Sequence, residues 1–404
     1  MARLAPEDWL ARAQAQARAR GGDALADLVL PDRRVEAWKY SRVGALLEEG
    51  LLDAPDAGAA VPDVPAIAEG AVRVLIVDGR LRDVPELPEG VTLVKLEAPA
   101  ATTEARPFVA LNAALADEAW RLEVAPNVRL DSILEIVIAQ NAEGCACGAH
   151  PHLQIEIGQG AQARVVERQI GAACSFTNSV IEVRVGANAQ FTHERLGLDG
   201  GDARWLTALD VHVDRDGRYG LHQALVGAAF LRNEVTVHLD APGAHAEVGG
   251  ASLTRDRAHL DTQMCLEHAA PHCTSNQVFR AIAGEKSRTI LNGRIHIHRD
   301  AQKTAAELST KNLLLSPEAE IDAKPELEIY ADDVTCAHGA TIGQLDERAL
   351  FYLRSRGVDA TLARTMLSFA FLADVVGGFP QPAVSDVARA ALEQAFSAPS
   401  ALES

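Results

Sequence analysis

Short apolar-polar alternations divided by turn residues fill the middle of this 404-residue chain. Four segments carry one pattern: IEIGQGAQARVVER from Ile155, IEVRVGANAQFTHER from Ile181, DVHVDRDGRYGLHQ from Asp210 and TVHLDAPGAHAEVGG from Thr236. Each is a strand with period-two alternation, a turn built on Gly, Asp or Asn, and a second strand. The glycines at 160, 186, 217 and 243 stand 26, 31 and 26 residues apart, and later turns at Gly284, Asp300, Pro317 and Asp333 come 16 to 17 residues apart. Strand repeats of this period with no helix between them predict a solenoid whose coils bury their inward faces on one another. Residues 121–346 are therefore read as a β-helix. A jelly roll or sandwich is the rival, and about 225 residues of such strands would overfill a typical sandwich of roughly 100.

The flanks read differently. Residues 1 to about 50 are rich in Ala, Arg, Gln and Leu and predict helix, broken at Gly21-Gly22 and at Pro31. Trp38 and Tyr40, in EAWKYS (36–41), offer either a docking surface or the commoner fate of such aromatics, burial against the next domain. Residues 51–70, LLDAPDAGAAVPDVPAIAEG, have the composition of a linker or surface loop. VRVLIVDG (72–79) reads as a buried strand, VTLVKL (91–96) as another and Phe108–Trp120 as a helix, which suggests a small α/β unit and an N-terminal region of 1–120.

After Asp346, apolar residues at 350, 353, 362, 366, 367, 369 and 372 predict two amphipathic helices broken at Arg356-Gly357. Gly377-Gly378, Pro380 and Pro382 stop the second, and a final helix covers Ser385–Phe396, giving a helical domain over 347–404. The terminal coils of a solenoid expose an apolar layer, and helices of this kind can cap it.

Composition narrows the function classes. A hydrophobic content of 48% fits a buried core, and a net charge of -18 with pI near 5.2 argues against nucleic acid and anionic membrane as partners. No apolar run approaches the roughly eighteen residues of a transmembrane helix, and MARLAPEDWLARAQAQARAR lacks the apolar centre of a signal peptide, so the sequence implies a cytoplasmic protein. Six cysteines, at 145, 147, 174, 265, 273 and 336, contain no CxxC pair and read as thiols. Neither a GxxxxGK[ST] phosphate loop nor a GxSxG elbow is present.

Cys336 and His338 sit two apart on a predicted strand and project to one face. Spacing leaves two readings open: a soft and a borderline ligand presented together, or a packed thiol beside a hydrogen-bonded imidazole. The set Cys145, Cys147, His150 and His152 has ligand types but is too cramped for the usual structural zinc site. His296 with His298, and His268 with His272 and Cys273, read as hydrogen-bonded structure rather than ligands. Asp332 and Asp333 face opposite ways if on a strand, so they read as an acidic turn.

The run KPELEIYADDVTCAHGATIGQLDERALFYLRSRGV from Lys324 resembles the signature of the SufB/SufD family, the scaffold proteins of SUF iron–sulfur cluster assembly. Gly339 after the histidine is the SufD form, where SufB typically carries His-Glu-Ala. EAWKYS near the N-terminus, Leu111-Asn112-Ala113 and the overall length are similar to SufD as well. The likeness covers most of residues 30–378, is specific between 324 and 372, and is diffuse through the repeats.

The resemblance implies a right-handed parallel β-helix core between an N-terminal helical or α/β region and a C-terminal helical domain. It implies a non-catalytic scaffold subunit that pairs with SufB through the β-helix and binds the SufC ATPase, two copies per complex, through its C-terminal helices. A nascent cluster or iron would be held transiently between the chains, with His338 as ligand and Cys336 beside it, and no cofactor would be tightly bound to the isolated chain. The docking helices would offer Leu350, Phe351, Tyr352, Leu353, Arg354 and Arg356, then Met366, Phe369 and Phe371. Residues 316–323, SPEAEIDA, lack the cysteine that SufB carries before its PELEI strand, so a partner must complete the site, which argues against SufB itself or a self-sufficient homodimer. A homodimer of the isolated chain and flavin binding by the complex stay open. The rival from another class is a β-helix polysaccharide lyase or hydrolase, whose relatives are mostly exported and line their grooves with aromatics; this chain is 4% aromatic.

Overall fold

Two ten-stranded sheets wind through the computed structural model, which describes residues 3–22, 25–41, 43–53, 55, 62–97, 106–140, 147–171 and 174–397. In chain order the strands are β1 (Val72–Val77), β2 (Arg80–Asp83), β3 (Val91–Leu96), β4 (Ala119–Val124), β5 (Leu134–Ala139), β6 (Cys147–Ala149), β7 (His152–Ile157), β8 (Gln162–Ile170), β9 (Ser175–Val185), β10 (Gln190–Asp199), β11 (Gly201–Val213), β12 (Arg218–Val226), β13 (Ala228–Leu239), β14 (His245–Thr254), β15 (His259–His268), β16 (Thr274–Ala283), β17 (Arg288–Ile297), β18 (Ala305–Leu314), β19 (Glu320–Ile329) and β20 (Thr335–Gly343). From β7 onward the chain alternates between the sheets, so among these strands even pairs with even and odd with odd, always in parallel, while β8 and β7 join the earlier strands β5 and β4. This is a parallel β-solenoid of about seven turns, and the sandwich alternative, whose strands pair antiparallel, is excluded.

The two sequence periods are one geometry. Arg218 pairs with Gln190 before it and His245 after it, while Thr274 pairs with Ala305, so one coil takes 27 to 31 residues in this sheet. The shorter interval of 16 to 17 residues is half a coil: Gly284 and Pro317 lie in one line of turns, Asp300 and Asp333 in the other. That second line carries one left-handed residue per coil, at Asn127, Gly160, Asn188, Asp216, Gly243, His272 and Lys303, with φ between +53° and +80°. A Cβ on Gly243 would stand 2.1 Å from the Asp216 carboxylate of the preceding coil, so glycine is required there by space as well as by φ.

Inside, aliphatic side chains stack in register. Ile155, Val183, Val211, Val237, Leu266 and Ile295 succeed one another on adjacent odd strands, and all six are fully buried. Each such burial stabilises by about 1.5–3 kcal/mol. The column continues onto β19 at Leu327, where exposure begins.

At the N-terminus only α1 (Pro6–Ala19) is the expected α-helix; beyond Gly21, with φ +90°, the chain forms short 3-10 turns instead. These are held by packing against the odd sheet: Trp9, Trp38, Leu46 and Leu51 cluster with Phe176, Leu206 and Phe230. Trp38 is therefore buried rather than a docking residue, with the Arg232 guanidinium 3.8 Å over its ring. Leu51, Leu52, Val64 and Ile67 are buried too, which corrects the surface-loop reading of 51–70 where that stretch is described; residues 54 and 56–61 lie outside the described residues. The expected helix over 108–120 is α2 (Pro107–Leu115), and Trp120 belongs to β4. Asp117 ends the helical run by pairing with Arg20 at 2.7 Å and Arg80 at 2.9 Å. The strands of 71–120 do not form a sheet of their own: β1 joins β5 in parallel, and β3 joins β4 antiparallel at the far end of the odd sheet.

The C-terminal helices are α3 (Glu347–Arg354), α4 (Ala360–Val376) and α5 (Pro382–Ser397). Leu372, Val376, Val384, Ala388 and Leu392 pack on Val166, Leu196, Val226, Leu253 and Ile282 of the even sheet. The helices thus cover the outer flank of the middle coils, and the expected cap over the last coil is absent among the described residues. No helix of the described residues is long and apolar enough to cross a membrane.

Candidate functional site

The last coil ends both sheets. β19 is bonded only to β17 and β20 only to β18, so a row of backbone donors and acceptors faces outward along each. Edge strands of nine and ten residues are templates for pairing unless they are covered. The side chains of this coil that point along the solenoid interior are also uncovered, including Ile329 at 39% exposure and Ile342 at 46%.

Cys336 and His338 occupy such inward positions. Cys336 pairs with Ala306 and His338 with Leu308, both buried in the core, so the two side chains continue core columns. In a longer solenoid a hydrophobe would stand at 338; here an exposed imidazole does. Same-face neighbours on a strand stand roughly 7 Å apart, which permits a shared ligand without direct contact. Cys336 is half-buried against the core, and burial raises its thiol above the ordinary range, so it rests as a thiol. Asp332 and Asp333 lie exposed in the turn between β19 and β20, where Lys303 pairs with the Asp333 carboxylate.

The nine helical residues divide by environment. Leu350 is buried and anchors α3, Leu353 is half-buried, and Phe369 and Phe371 pack beneath α4 on the even sheet. Phe351 is 74% exposed, Tyr352 55% and Met366 45%; Leu362, which the sequence reading used for helix periodicity but not for docking, is 53% exposed. Arg354 and Arg356 are exposed, and the Arg356 guanidinium lies 3.5 Å over the Tyr352 ring. Asp346 and Asp359 cap α3 and α4 through backbone N–H groups, and Gly357, with φ +86°, makes the break between them. The result is a shelf of exposed aromatic, aliphatic and guanidinium groups beside the open end.

The other ligand sets settle differently. Cys145 lies outside the described residues. Cys147, His150 and His152 are buried; burial pushes His150 down to about 3 and lowers His152, whose Nδ1 meets Asn112 Oδ1 at 2.8 Å. His268 is buried against Ser275 Oγ at 2.9 Å and pushed to about 4, while His272 sits exposed in a turn. His296 and His298 face Glu267, a residue the sequence reading left out.

The family described as "SUF system FeS cluster assembly, SufBD core domain" matches residues 137–371. The iron–sulfur cluster assembly protein SufD of Escherichia coli is 31% identical over 362 residues, 86% of this chain and 84% of that protein. A SufBD family iron–sulfur cluster assembly protein of Synechocystis is 28% identical, over 89% of this chain and 86% of its own length. SufD of Bacillus subtilis is 26% identical, over 68% and 63%. With strands β6 to β20 of its solenoid inside the matched span and a likeness to SufD over 86% of its length, the chain belongs to the SufBD family of the SUF iron–sulfur cluster assembly system.

Proposed function

We propose that this chain is a scaffold subunit, without turnover of its own, that works in a complex with SufB and the SufC ATPase. The observation that carries the reading is the last coil: two unpaired edge strands and an uncovered inner face, with His338 where a core residue would stand. A second solenoid presenting its own edges extends both sheets and covers Ile329 and Ile342, which makes SufB, another solenoid of this family, the fitting occupant. His338 then lies between two chains. A neutral imidazole is a competent ligand for iron, and substituting it for thiolate alters the electronics of a cluster, as in Rieske centres. A site completed only by two chains can accept iron or a nascent cluster and release it when they part. Cys336, a half-buried thiol, is the weaker ligand of the two.

The shelf of Phe351, Tyr352, Leu362 and Met366 supports a dock for SufC, with Arg354 and Arg356 at its polar side. Aromatic and guanidinium groups of this kind are enriched where interfaces gain most of their affinity.

Co-expression with SufB and SufC should give a stoichiometric complex that survives gel filtration, and the His338→Ala chain should enter it normally while cluster yield falls. A chain that ignores both partners sinks the scaffold reading; an unchanged yield removes His338 as ligand.

A further inference from the structure

The outward face of the odd sheet carries a second kind of chemistry. Glu123, Glu156, Arg184, His212, His238, Glu267, His296 and Glu328 stand directly opposite one another on successive strands. Neighbours in such a column are about 4.8 Å apart. Within it, two triads share one construction: a ladder pair supplies two ligands, and the residue two positions on from the later member supplies the third. His212 and His238 are joined by Asp240; Glu267 and His296 are joined by His298. In each triad one ligand atom per residue lies within 4.8 Å of the other two.

The Glu267 triad is the more enclosed. Glu267 Oε2 stands 2.6 Å from His296 Nδ1 and 3.0 Å from His298 Nε2, and the imidazole rings stack at 4.4 Å. Ligand atoms around a first-row ion bound at about 2.1 Å stand roughly 3.0–3.4 Å from one another, so small side-chain shifts open the space for an ion. Cys265 Sγ, 3.3 Å from the other carboxylate oxygen, is a further soft donor at the rim. Arg294 opposes a cation, since its Nη2 lies 3.5 Å from Glu267, but the same guanidinium already reaches Glu328 at 3.5 Å and can turn to it. In the other triad His212 Nδ1 meets Asp240 Oδ2 at 2.7 Å, and the His212 and His238 rings stack at 4.5 Å and 6°. His212 and Asp240 open into a cleft of about 660 Å³ whose wall includes Glu123, Glu156 and Asp214 together with Arg184, so carboxylates outnumber the one guanidinium along the approach.

We propose that these two triads are sites for a divalent first-row transition metal. Two imidazoles and one carboxylate on one face are a donor set for borderline divalent ions, with coordination positions left open to solvent. Alternating stacked histidines with carboxylates along one column places the sites roughly 10 Å apart, two strand spacings. They stand or fall without the terminal-coil reading, because none of their residues lies on β20 or the helices.

The test is a cobalt(II) titration of the chelator-stripped full chain, read by visible absorption and by equilibrium dialysis, on the wild type, H296A/H298A, H212A/H238A and C336S/H338A. Each triad variant should lose one ion relative to the wild type, and C336S/H338A should keep both. E267Q, which removes only a charge, should weaken its site at least about tenfold while the circular dichroism stays unchanged. Triad variants that bind as many ions as the wild type overturn the proposal, and a loss confined to one triad overturns the other.

Discussion

Replacing Glu194 by Gln should stabilise the protein, and the gain should grow with pH. Glu194 is buried between the even sheet and the helical layer, where its Oε1 accepts the Gln381 N–H at 3.1 Å just before α5. Burial pushes its carboxyl from 4.5 up to about 7, and the Gln381 N–H and the Arg164 charge offset only part of that. The folded state therefore holds the neutral acid better than the carboxylate. Below about pH 4.5 both folded and unfolded chains are protonated and nothing is lost. Between 4.5 and 7 the unfolded chain ionises first, and native stability falls as pH rises; above 7 the loss is constant. A carboxyl displaced this far disfavours the charged fold by about 3 kcal/mol. A glutamine keeps the acceptor for Gln381 and cannot ionise. Guanidinium unfolding followed by tryptophan fluorescence should then show the variant ahead of the wild type by under about 1 kcal/mol at pH 5 and by about 3 kcal/mol at pH 8. Taking the difference between proteins removes the opposite trend of neutral buried histidines such as His259 and His268, held by burial at about 4, which lose stability as pH falls. A gain that does not change with pH would refute a charge-burial cost at Glu194.

Two further substitutions test the flanking layers. F351S/Y352S should cut co-purification of SufC at least about tenfold while leaving the melting transition in place, since both rings are mostly exposed; retained SufC would move the dock elsewhere on the helices. Gly148→Ala puts a Cβ 2.2 Å from the Leu51 carbonyl oxygen, and overpacking of this kind costs about 1–3 kcal/mol. The clash is with backbone of the N-terminal segment, so limited proteolysis should cut within residues 3–53 faster than in the wild type; an unchanged digestion pattern would show that the segment yields at no cost.

The solenoid was legible because its turns need left-handed residues and its strands need alternation, and both leave marks in composition. Gly160 and Gly243 are such marks, and the two spacings that looked unrelated are a whole coil and half of one. What local pattern could not supply was which surface a segment would meet. Trp120 fits a helix by its apolar neighbours, but Asp117 and Glu118 stop the helix and ladder pairing to Leu153 claims the tryptophan. The apolar residues of 51–70 look like loop residues until the outward faces of the odd and even sheets bury them. The helices look like caps, yet their apolar faces fit the flank of the even sheet. Cys336 and His338 were found because period two alone puts them together. His212 and His238 were not, because only the coil length makes residues 26 apart adjacent. Comparing histidine spacings with the coil length would have revealed them.

The uncovered last coil has a consequence for how the molecule opens. In a linear stack each inner coil is held by two neighbours and the end coil by one, so its free energy of local opening is smaller and does not require the rest to unfold. Here the helical layer clamps the middle strands and leaves β19 and β20 outside its grip. The strand that carries Cys336 and His338 therefore opens more readily than the clamped middle coils of the solenoid in the free chain. On the proposed function, a second solenoid would give that coil its missing neighbour, so assembly and ordering of His338 would be one event, and a metal would not meet a rigid site before the partner had arrived.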